Sequence, residues 1–251
     1  MIRLIAGFEY RRQFLSPLPW VLMAAMQFVM ALLFLVFLDN FLTELQPRLS
    51  LTPDAPGATD TIITPLLVWG GMLWLGIIPL LTMRSFSEDR QYQRYELLLS
   101  SPASITDIVL GKYLGLLLFI ATALLPLLIT AASLFLVTSL DWGKLIAGMM
   151  GLYLMLASFA AAGLFISTLT RQPGMAATLT YGLLALLFVL YLSGKSQGAP
   201  SPLFVYISHF GHFLSLASGI VQSKDILYYL LFMSGFVALT IHRLDWERRR
   251  G

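Results

Sequence analysis

Six long apolar stretches, none with a charged side chain at its middle, leave this chain few ways to fold in water. A helix needs about 20 apolar residues to cross a hydrocarbon core of ~30 Å; the first five stretches meet that length, and the sixth needs its flanks. Apolar residues make up 58% of the chain, against about 45–50% in soluble domains. We therefore predict an all-α integral membrane protein, a single domain over residues 1–251, with six transmembrane helices at residues 18–38, 63–83, 108–138, 145–169, 174–193 and 226–241.

The same stretches argue against other kinds of membrane protein. Strands of a transmembrane β-barrel alternate apolar and polar residues, whereas residues 116–132 are apolar apart from Thr122 and Thr130. Ion-driven carriers normally keep an ionisable residue at membrane depth, which disfavours that class here and points to an energy source outside this chain. The chain has no cysteine, which excludes disulfides and thiol catalysis.

The basic residues predict how the helices are oriented. If the N-terminus lies in the cytoplasm, only four of the 16 basic residues fall on the outer side, namely Arg48, Lys144, Lys195 and Lys224. This bias follows the positive-inside rule and places both termini in the cytoplasm. It also accounts for the isoelectric point of 9.2, so nucleic-acid binding is not needed to explain it. The first apolar stretch lacks a cleavage pattern, and we expect it to remain as the first transmembrane helix.

The N-terminal segment, residues 1–17, predicts an amphipathic helix in the inner membrane interface. Its apolar side chains, Leu4, Ile5, Phe8 and Leu15, fall on one side of a helical wheel. A frayed basic tail is the alternative.

On the outer side, residues 39–62 are acidic and rich in proline, which predicts a solvated loop in preference to a substrate site.

Residues 84–107 form the largest polar segment on the inner side and predict a short helical hairpin that projects into the cytoplasm. Ser85 and Glu88 have the spacing of a capping box at the start of its charged helix, and Ser104 and Asp107 have the same spacing before the third transmembrane helix. Pro102 is expected to end the helical segment that precedes it.

Residues 203–222 are apolar but too polar for a transmembrane helix, because they include His209 and His212. We predict an interfacial or re-entrant helix on the outer side, packed against protein. Ser223 and Asp225 are expected to cap the sixth transmembrane helix.

Three patterns that could carry chemistry are incomplete. Gly194-Lys195-Ser196 resembles the end of a phosphate-binding loop, but position 189 is valine where that loop has glycine. We therefore predict no ATPase site, no enzymatic activity and no cofactor in this chain.

His209 and His212 have a spacing that can bind metal, yet no third ligand lies nearby in the sequence. Histidines bonded to backbone or water are the favoured interpretation, so no metal site is predicted. An intramembrane serine protease would need a buried serine beside a histidine. Ser158 and Ser167 in the fourth stretch have no histidine at matching depth in the sequence.

Small residues are dense in the fourth stretch and permit close approach of helices. They could pack inside one subunit or form the seam of a dimer, and the sequence leaves both open. They are Gly148, Gly151, Ala157, Ser158, Ala160, Ala161, Ala162 and Gly163.

The inner hairpin resembles that of the ABC-2 type permeases of ABC transporters. The family pattern has an acidic pair, a Glu-Leu-Leu-Leu, a Ser/Thr-Pro and a Gly-Lys-Phe/Tyr, and here these are Glu88-Asp89, residues 96–99, Ser101-Pro102 and residues 111–113. Residues 14–21 and 208–226 resemble other parts of the family, and the nearest subgroup is the gliding-motility type, with the nitrous-oxide-reductase-maturation type close by. Gln93-Arg94-Tyr95 departs from the family, which often has Gly-Thr there.

This resemblance implies a half-transporter in a bacterial cytoplasmic membrane. It would pair with a second permease copy, as a homodimer in preference to a heterodimer, and with two cytoplasmic ATPase subunits that bind ATP and magnesium. An accessory extracytoplasmic protein could join them. In the family the hairpin holds the coupling helix that docks on the ATPase, which implies coupling roles for Glu88, Asp89, Arg90, Arg94, Tyr95, Glu96, Leu97, Ser101 and Pro102. The substrate cannot be read from the sequence, and a non-transporting membrane scaffold is the alternative function.

Overall fold

The computed structural model describes residues 1–46, 57–92, 103–136, 138, 140–194 and 206–249. Within these ranges the chain forms α-helices and no β-strand. The α-helices are α1 (Ile2–Leu15), α2 (Pro17–Asn40), α3 (Thr64–Thr82), α4 (Ser87–Gln91), α5 (Ile105–Ser133), α6 (Trp142–Leu169), α7 (Pro173–Gly194), α8 (His209–Ala217) and α9 (Ser223–Arg248).

Six helical segments among the described residues are long and apolar enough to cross a membrane, which confirms the predicted fold class. They are Pro17–Leu45, Thr59–Gln91, Ile105–Leu136, Trp142–Leu169, Pro173–Ser193 and Ser223–Arg248. Single π-helical turns extend α2 to Leu45 and begin the second segment at Thr59. Helix is therefore present to Leu45 and from Thr59 within the region 39–62, which was predicted as a loop; the prolines of that region lie outside the described residues.

The bundle has two ends. At one end, here called the α1 end, lie α1, α4, the start of α5 and the end of α9. At the other, the α8 end, lie α8, the start of α6 and the start of α9. Thr64 at the start of α3 donates a hydrogen bond to the Ala217 carbonyl there, and Lys144 pairs with Asp60 at 2.9 Å. Successive transmembrane helices thus run in alternating directions.

Helix α6 is the centre of the bundle. Its most apolar window is 72% buried, against 11% for the first transmembrane segment. The small residues of α6 let neighbouring helices approach closely: a Cβ atom added at Gly151 would lie 2.6 Å from Leu216 of α8, and one at Gly148 would lie 2.5 Å from Leu67 of α3. Packing inside one subunit therefore occupies these residues, and the alternative that they form a dimer seam is wrong.

Helix α1 is ordered from Ile2 to Leu15, so the frayed-tail alternative is wrong. It packs along α5, where Gly111 and Gly115 have no side chain to block it: added Cβ atoms would lie 2.6 Å from Ile5 and 2.7 Å from Glu9. Ile5 thereby leaves the predicted apolar side and faces α5. The other three apolar residues, Leu4, Phe8 and Leu15, are exposed on the bundle surface.

The predicted helix caps are partly wrong. Ser104 does accept a hydrogen bond from the Asp107 amide at 3.0 Å. Ser85 does not cap α4, because that helix begins two residues later and its N-cap is Phe86. Ser223 is already inside α9, whose N-cap is Gln222, and the Asp225 carboxylate bonds to a histidine instead of capping.

The helix predicted within residues 203–222 is shorter than that range. Ser208 caps it by accepting a hydrogen bond from the Gly211 amide, and Gly219, with φ of 85°, turns the chain back towards α9. Nine residues make a helix of about 13 Å, too short to cross a membrane. Residues 203–205 lie outside the described part of the chain.

Candidate functional site

The predicted coupling residues begin on α4, immediately after the second transmembrane helix. Glu88, Asp89 and Arg90 lie on this helix. The other predicted coupling residues lie outside the described part of the chain: Arg94, Tyr95, Glu96, Leu97, Ser101 and Pro102. The described part of the candidate site therefore consists of α4 and the side chains that contact it.

The ammonium group of Lys112, near the start of α5, holds α4 in place. It donates three hydrogen bonds of 2.8 Å each, to Oε1 of Glu9 on α1, to Oδ2 of Asp89 on α4 and to the carbonyl of Ser85. A lysine has three donors, so all of them are used. The side chain of Lys112 is only 3% exposed, and its ammonium lies 5.0 Å from the centre of the Phe86 ring.

This arrangement is sensitive to the loss of any partner. Burying a charge is costly unless it is paired and hydrogen-bonded, and removing one member of a buried ion pair costs about 3–5 kcal/mol. Lys112 pairs with two buried carboxylates from different segments at once. Helices α1, α4 and α5 are consequently fixed to one another at this end of the bundle.

Arg12 of α1 forms the outer layer of the same network. Its guanidinium lies 3.2 Å from Glu88, 3.5 Å from Glu9 and 3.8 Å from Asp89. The Arg12 side chain is 26% exposed and that of Glu88 is 24% exposed, whereas Asp89 is buried. Glu88 thus lies at the rim of the network and Asp89 in its interior.

Arg90 ties α4 to the C-terminal helix. Its guanidinium lies 2.5 Å from the Glu247 carboxylate of α9, and Arg243 pairs with the same glutamate at 2.9 Å. One turn of α4 is therefore bound to α1, α5 and α9, and its chain continues directly from α3. A displacement of α4 would act on all four helices.

Lys112, Glu9, Glu247 and the Ser85 carbonyl are parts of this site that were not predicted from the sequence. Glu88 and Asp89, which were predicted as coupling residues, are in addition paired within the chain. Glu9 and Lys112 are 103 residues apart in the sequence, and Arg90 and Glu247 are 157 apart. The available signals were Lys112, the first charge inside the third apolar stretch, and Glu9, the only acid of the N-terminal segment.

A second polar cluster lies towards the α8 end. Ser158 Oγ and His209 Nε2 are 2.6 Å apart, and both side chains are buried. The expectation that Ser158 has no histidine at matching depth is therefore wrong, because α8 folds back against α6. The other ring nitrogen of His209 lies 3.1 Å from the Tyr228 hydroxyl.

The geometry around Ser158 does not suit a nucleophile. Its hydroxyl lies 2.6 Å from the Met155 carbonyl, and the cavity beside His209 measures about 10 Å³, at most enough for one water molecule. Burial, together with the nearby His212, lowers the pKa of His209 to about 3. The imidazole is therefore neutral at physiological pH and joins α8 to α6 and α9 by hydrogen bonds.

His212 has its own partners. Its Nδ1 lies 2.7 Å from Oδ1 of Asp225 on α9, and its Nε2 lies 2.9 Å from the Tyr206 carbonyl. Protein groups thus face the nitrogens of both imidazoles, and within the described ranges no three histidine or carboxylate side chains come together as metal ligands. Of the incomplete phosphate-loop tripeptide, Lys195 and Ser196 lie outside those ranges.

Six helices long and apolar enough to cross a membrane, with a charged helical turn bound to one end of the bundle, define a multi-pass membrane protein. The family model of the ABC-2 family transporter proteins matches residues 4–241, nearly the whole chain. The chain belongs to this family and is a membrane permease component of an ABC transporter, in which ATPase activity lies in a separate subunit. No curated protein matches the chain.

Proposed function

We propose that this chain is one half of the membrane domain of an ABC exporter, or of an ABC machine that passes force across the membrane. Within the family we place it nearest the gliding-motility type, with the nitrous-oxide-reductase-maturation type close by, on the hairpin motifs in residues 88–113. The observation that carries the proposal is the Lys112 network, which binds α4 to α1 and α5.

Coupling needs a part that receives movement and a rigid link to the transmembrane helices. The proposed receiver is the hairpin, residues 84–107, through α4 and the residues that follow it. The links are the Lys112 contacts to Glu9 and Asp89 and the Arg90–Glu247 pair. Packed elements with buried ion pairs move as rigid bodies, so closure of the ATPase subunits would tilt α3, α5 and α9 together.

The partners are two cytoplasmic ATPase subunits, which would supply ATP and magnesium, and a second permease. We favour a second identical copy. We favour α2 and α7 as the dimer faces from the family pattern. The most apolar windows of the segments that hold α2, α9 and α7 are only 11%, 22% and 28% buried, while that of α6 is 72% buried. The α1 end would face the cytoplasm of a bacterium, and an accessory extracytoplasmic protein could meet the α8 end.

The decisive experiment combines co-purification with ATP turnover. Charge reversal at both Glu88 and Glu96 should reduce recovery of the ATPase subunits with the tagged permease, and a matched reversal at Glu44, exposed on α2's π-helical extension at the α8 end, should not. Both variants must elute as the folded permease. Unchanged recovery and turnover in the double variant would refute docking at the hairpin.

The scaffold alternative makes a different prediction. A scaffold neither stimulates ATP hydrolysis nor needs it, so reconstitution with the ATPase should leave turnover unchanged. The mass of the detergent-solubilised complex decides the stoichiometry: two permease chains for two ATPase subunits are expected. One permease chain with no second membrane chain would refute the half-transporter.

A further inference from the structure

A cavity of about 290 Å³ opens at the α1 end, between the last turn of α1, the start of α2, the end of α3 and α4. Its size is at the lower limit of ligand sites, which measure about 300–1,000 Å³. Four charged side chains line it, Glu9, Arg12, Arg84 and Glu88, together with leucines that include Leu18 and Leu80. The cavity therefore combines charged and apolar walls.

The surroundings place this cavity at the level of lipid headgroups. It lies where α1 turns into the first transmembrane helix at Ser16. Trp20, just beyond the turn, is exposed and donates a hydrogen bond to the Phe14 carbonyl; tryptophans in this position mark the membrane–water interface. Leu15, which also lines the cavity, is 85% exposed and faces out of the bundle.

The charged side chains that line the cavity are not all neutralised by the Lys112 network beside it. Among the residues that the structure describes, the carboxylates of Glu9, Glu88 and Asp89 pair with two cations, Lys112 and Arg12. One negative charge is left over, and Glu88 at the rim is the most exposed of the three carboxylates. Arg84 is exposed and forms no ion pair within the residues described. The cavity thus offers one carboxylate and one guanidinium to a ligand.

We propose that this cavity binds the headgroup of phosphatidylethanolamine. The phosphate would accept hydrogen bonds from the Arg84 guanidinium, which matches phosphate oxygens well, and the primary ammonium would donate to Glu88. The acyl chains would leave the cavity past Leu15 and Leu18 into the bilayer. Phosphatidylglycerol lacks the ammonium and phosphatidylcholine lacks its N–H donors, so both should bind more weakly.

The test uses the full-length permease without ATPase subunits, so it is separate from the coupling hypothesis. Native mass spectrometry would measure binding of phosphatidylethanolamine, phosphatidylcholine and phosphatidylglycerol to the detergent-solubilised wild type and to Arg84→Gln and Glu88→Gln. Arg171→Gln is the matched control, an exposed arginine in the α6–α7 turn at the same end. Loss of one charge-assisted hydrogen bond should weaken phosphatidylethanolamine binding about tenfold or more in each cavity variant.

The outcomes separate the explanations. Weaker binding of all three lipids in Arg84→Gln, together with loss of the preference for phosphatidylethanolamine in Glu88→Gln and no change in the control, would support the proposal. Equal binding of all three lipids, or a preference kept in Glu88→Gln, would overturn it. Soluble glycerophosphoethanolamine should compete with the lipid; tighter binding of the soluble compound than of the lipid would overturn the assignment to a membrane lipid. Each variant must keep the elution volume and thermal midpoint of the wild type.

Discussion

The ammonium of Lys112 and the carboxylate of Asp89 lie 2.8 Å apart in a region that water barely reaches. Lys112 belongs to α5, the third transmembrane helix, and Asp89 belongs to α4, the short helix that follows α3. Their pairing converts a short surface element into a fixed part of the bundle. The consequences of disturbing it can be measured.

Lys112→Met should destabilise the permease by about 3–5 kcal/mol, because it removes the cation that lies closest to the buried carboxylates of Glu9 and Asp89. Thermal unfolding in detergent would measure the loss. Lys144→Met is the matched control: Lys144 pairs with Asp60 where both side chains are about a third exposed, and such pairs contribute about 0–1 kcal/mol. Equal losses in the two variants would show that the Lys112 network does not hold the fold.

Asp89→Asn should uncouple the transporter without removing its ATPase. The amide keeps the shape of the side chain but lacks the charge that binds α4 to Lys112 and Arg12. We expect ATPase subunits to co-purify as with the wild type, while the permease-dependent part of ATP turnover falls several-fold. Asp107→Asn, at the same end but outside the network, should behave as the wild type. Full turnover in Asp89→Asn would contradict a coupling role for the clamp.

Cysteine labelling would test the orientation. Cysteines at positions 54 and 197, both in predicted outer loops, should react with an impermeant maleimide in intact cells. A cysteine at Gln91, an exposed residue of α4, should react only after the cells are opened. Labelling at 91 in intact cells would reverse the topology and remove the basis for ATPase docking on α4.

Acid should destabilise the α8 end through His209. Burial lowers its pKa to about 3 in the folded protein, while the unfolded chain binds a proton near the ordinary value of about 6.5. Between these values the unfolded state holds more protons, so stability falls as pH falls, by at most about 1.4 kcal/mol per pH unit. Thermal midpoints at pH 7 and pH 5 should differ more in the wild type than in His209→Gln. The same pH dependence in both would assign it to other groups.

Ser158→Ala should cost about 1–3 kcal/mol, because it leaves a buried nitrogen of His209 without a partner. Ser167→Ala is the control, since Ser167 bonds only to the Leu164 carbonyl of its own helix and should cost much less. A fluorophosphonate probe should label neither the wild type nor Ser167→Ala. Labelling that depends on Ser158 would contradict the structural role and indicate a nucleophile.

Much of the fold could be predicted because apolar length has a direct physical cause. Each transmembrane helix must fill the hydrocarbon core and satisfy its own backbone, so six stretches predicted six helices. The ends were less predictable. Ser85 and Ser223 carry the right side chains for caps, but the N-caps are Phe86 and Gln222. Tertiary contacts occupy neighbouring groups, since the Ser85 carbonyl accepts from Lys112 and the Asp225 carboxylate bonds to His212.

The candidate site was predictable only in part. The motif around Glu88 located the hairpin, but nothing local indicated that Asp89 faces inward or that Arg90 reaches Glu247. The same holds for Ser158 and His209, which meet only because α8 packs on α6. Ser158 and His209 are 51 residues apart in the sequence, and Arg90 and Glu247 are 157 apart. Contacts between residues so far apart depend on tertiary packing, which neither periodicity nor local spacing indicates.

The distance of 103 residues between Glu9 and Lys112 also bears on how the protein is made. A ribosome releases α1 long before the helix on which it packs exists, and Glu9 has no buried cation to meet until then. The N-terminal helix must therefore wait at the membrane surface while two transmembrane helices are inserted. It completes the assembly of the first half of the bundle and does not begin it.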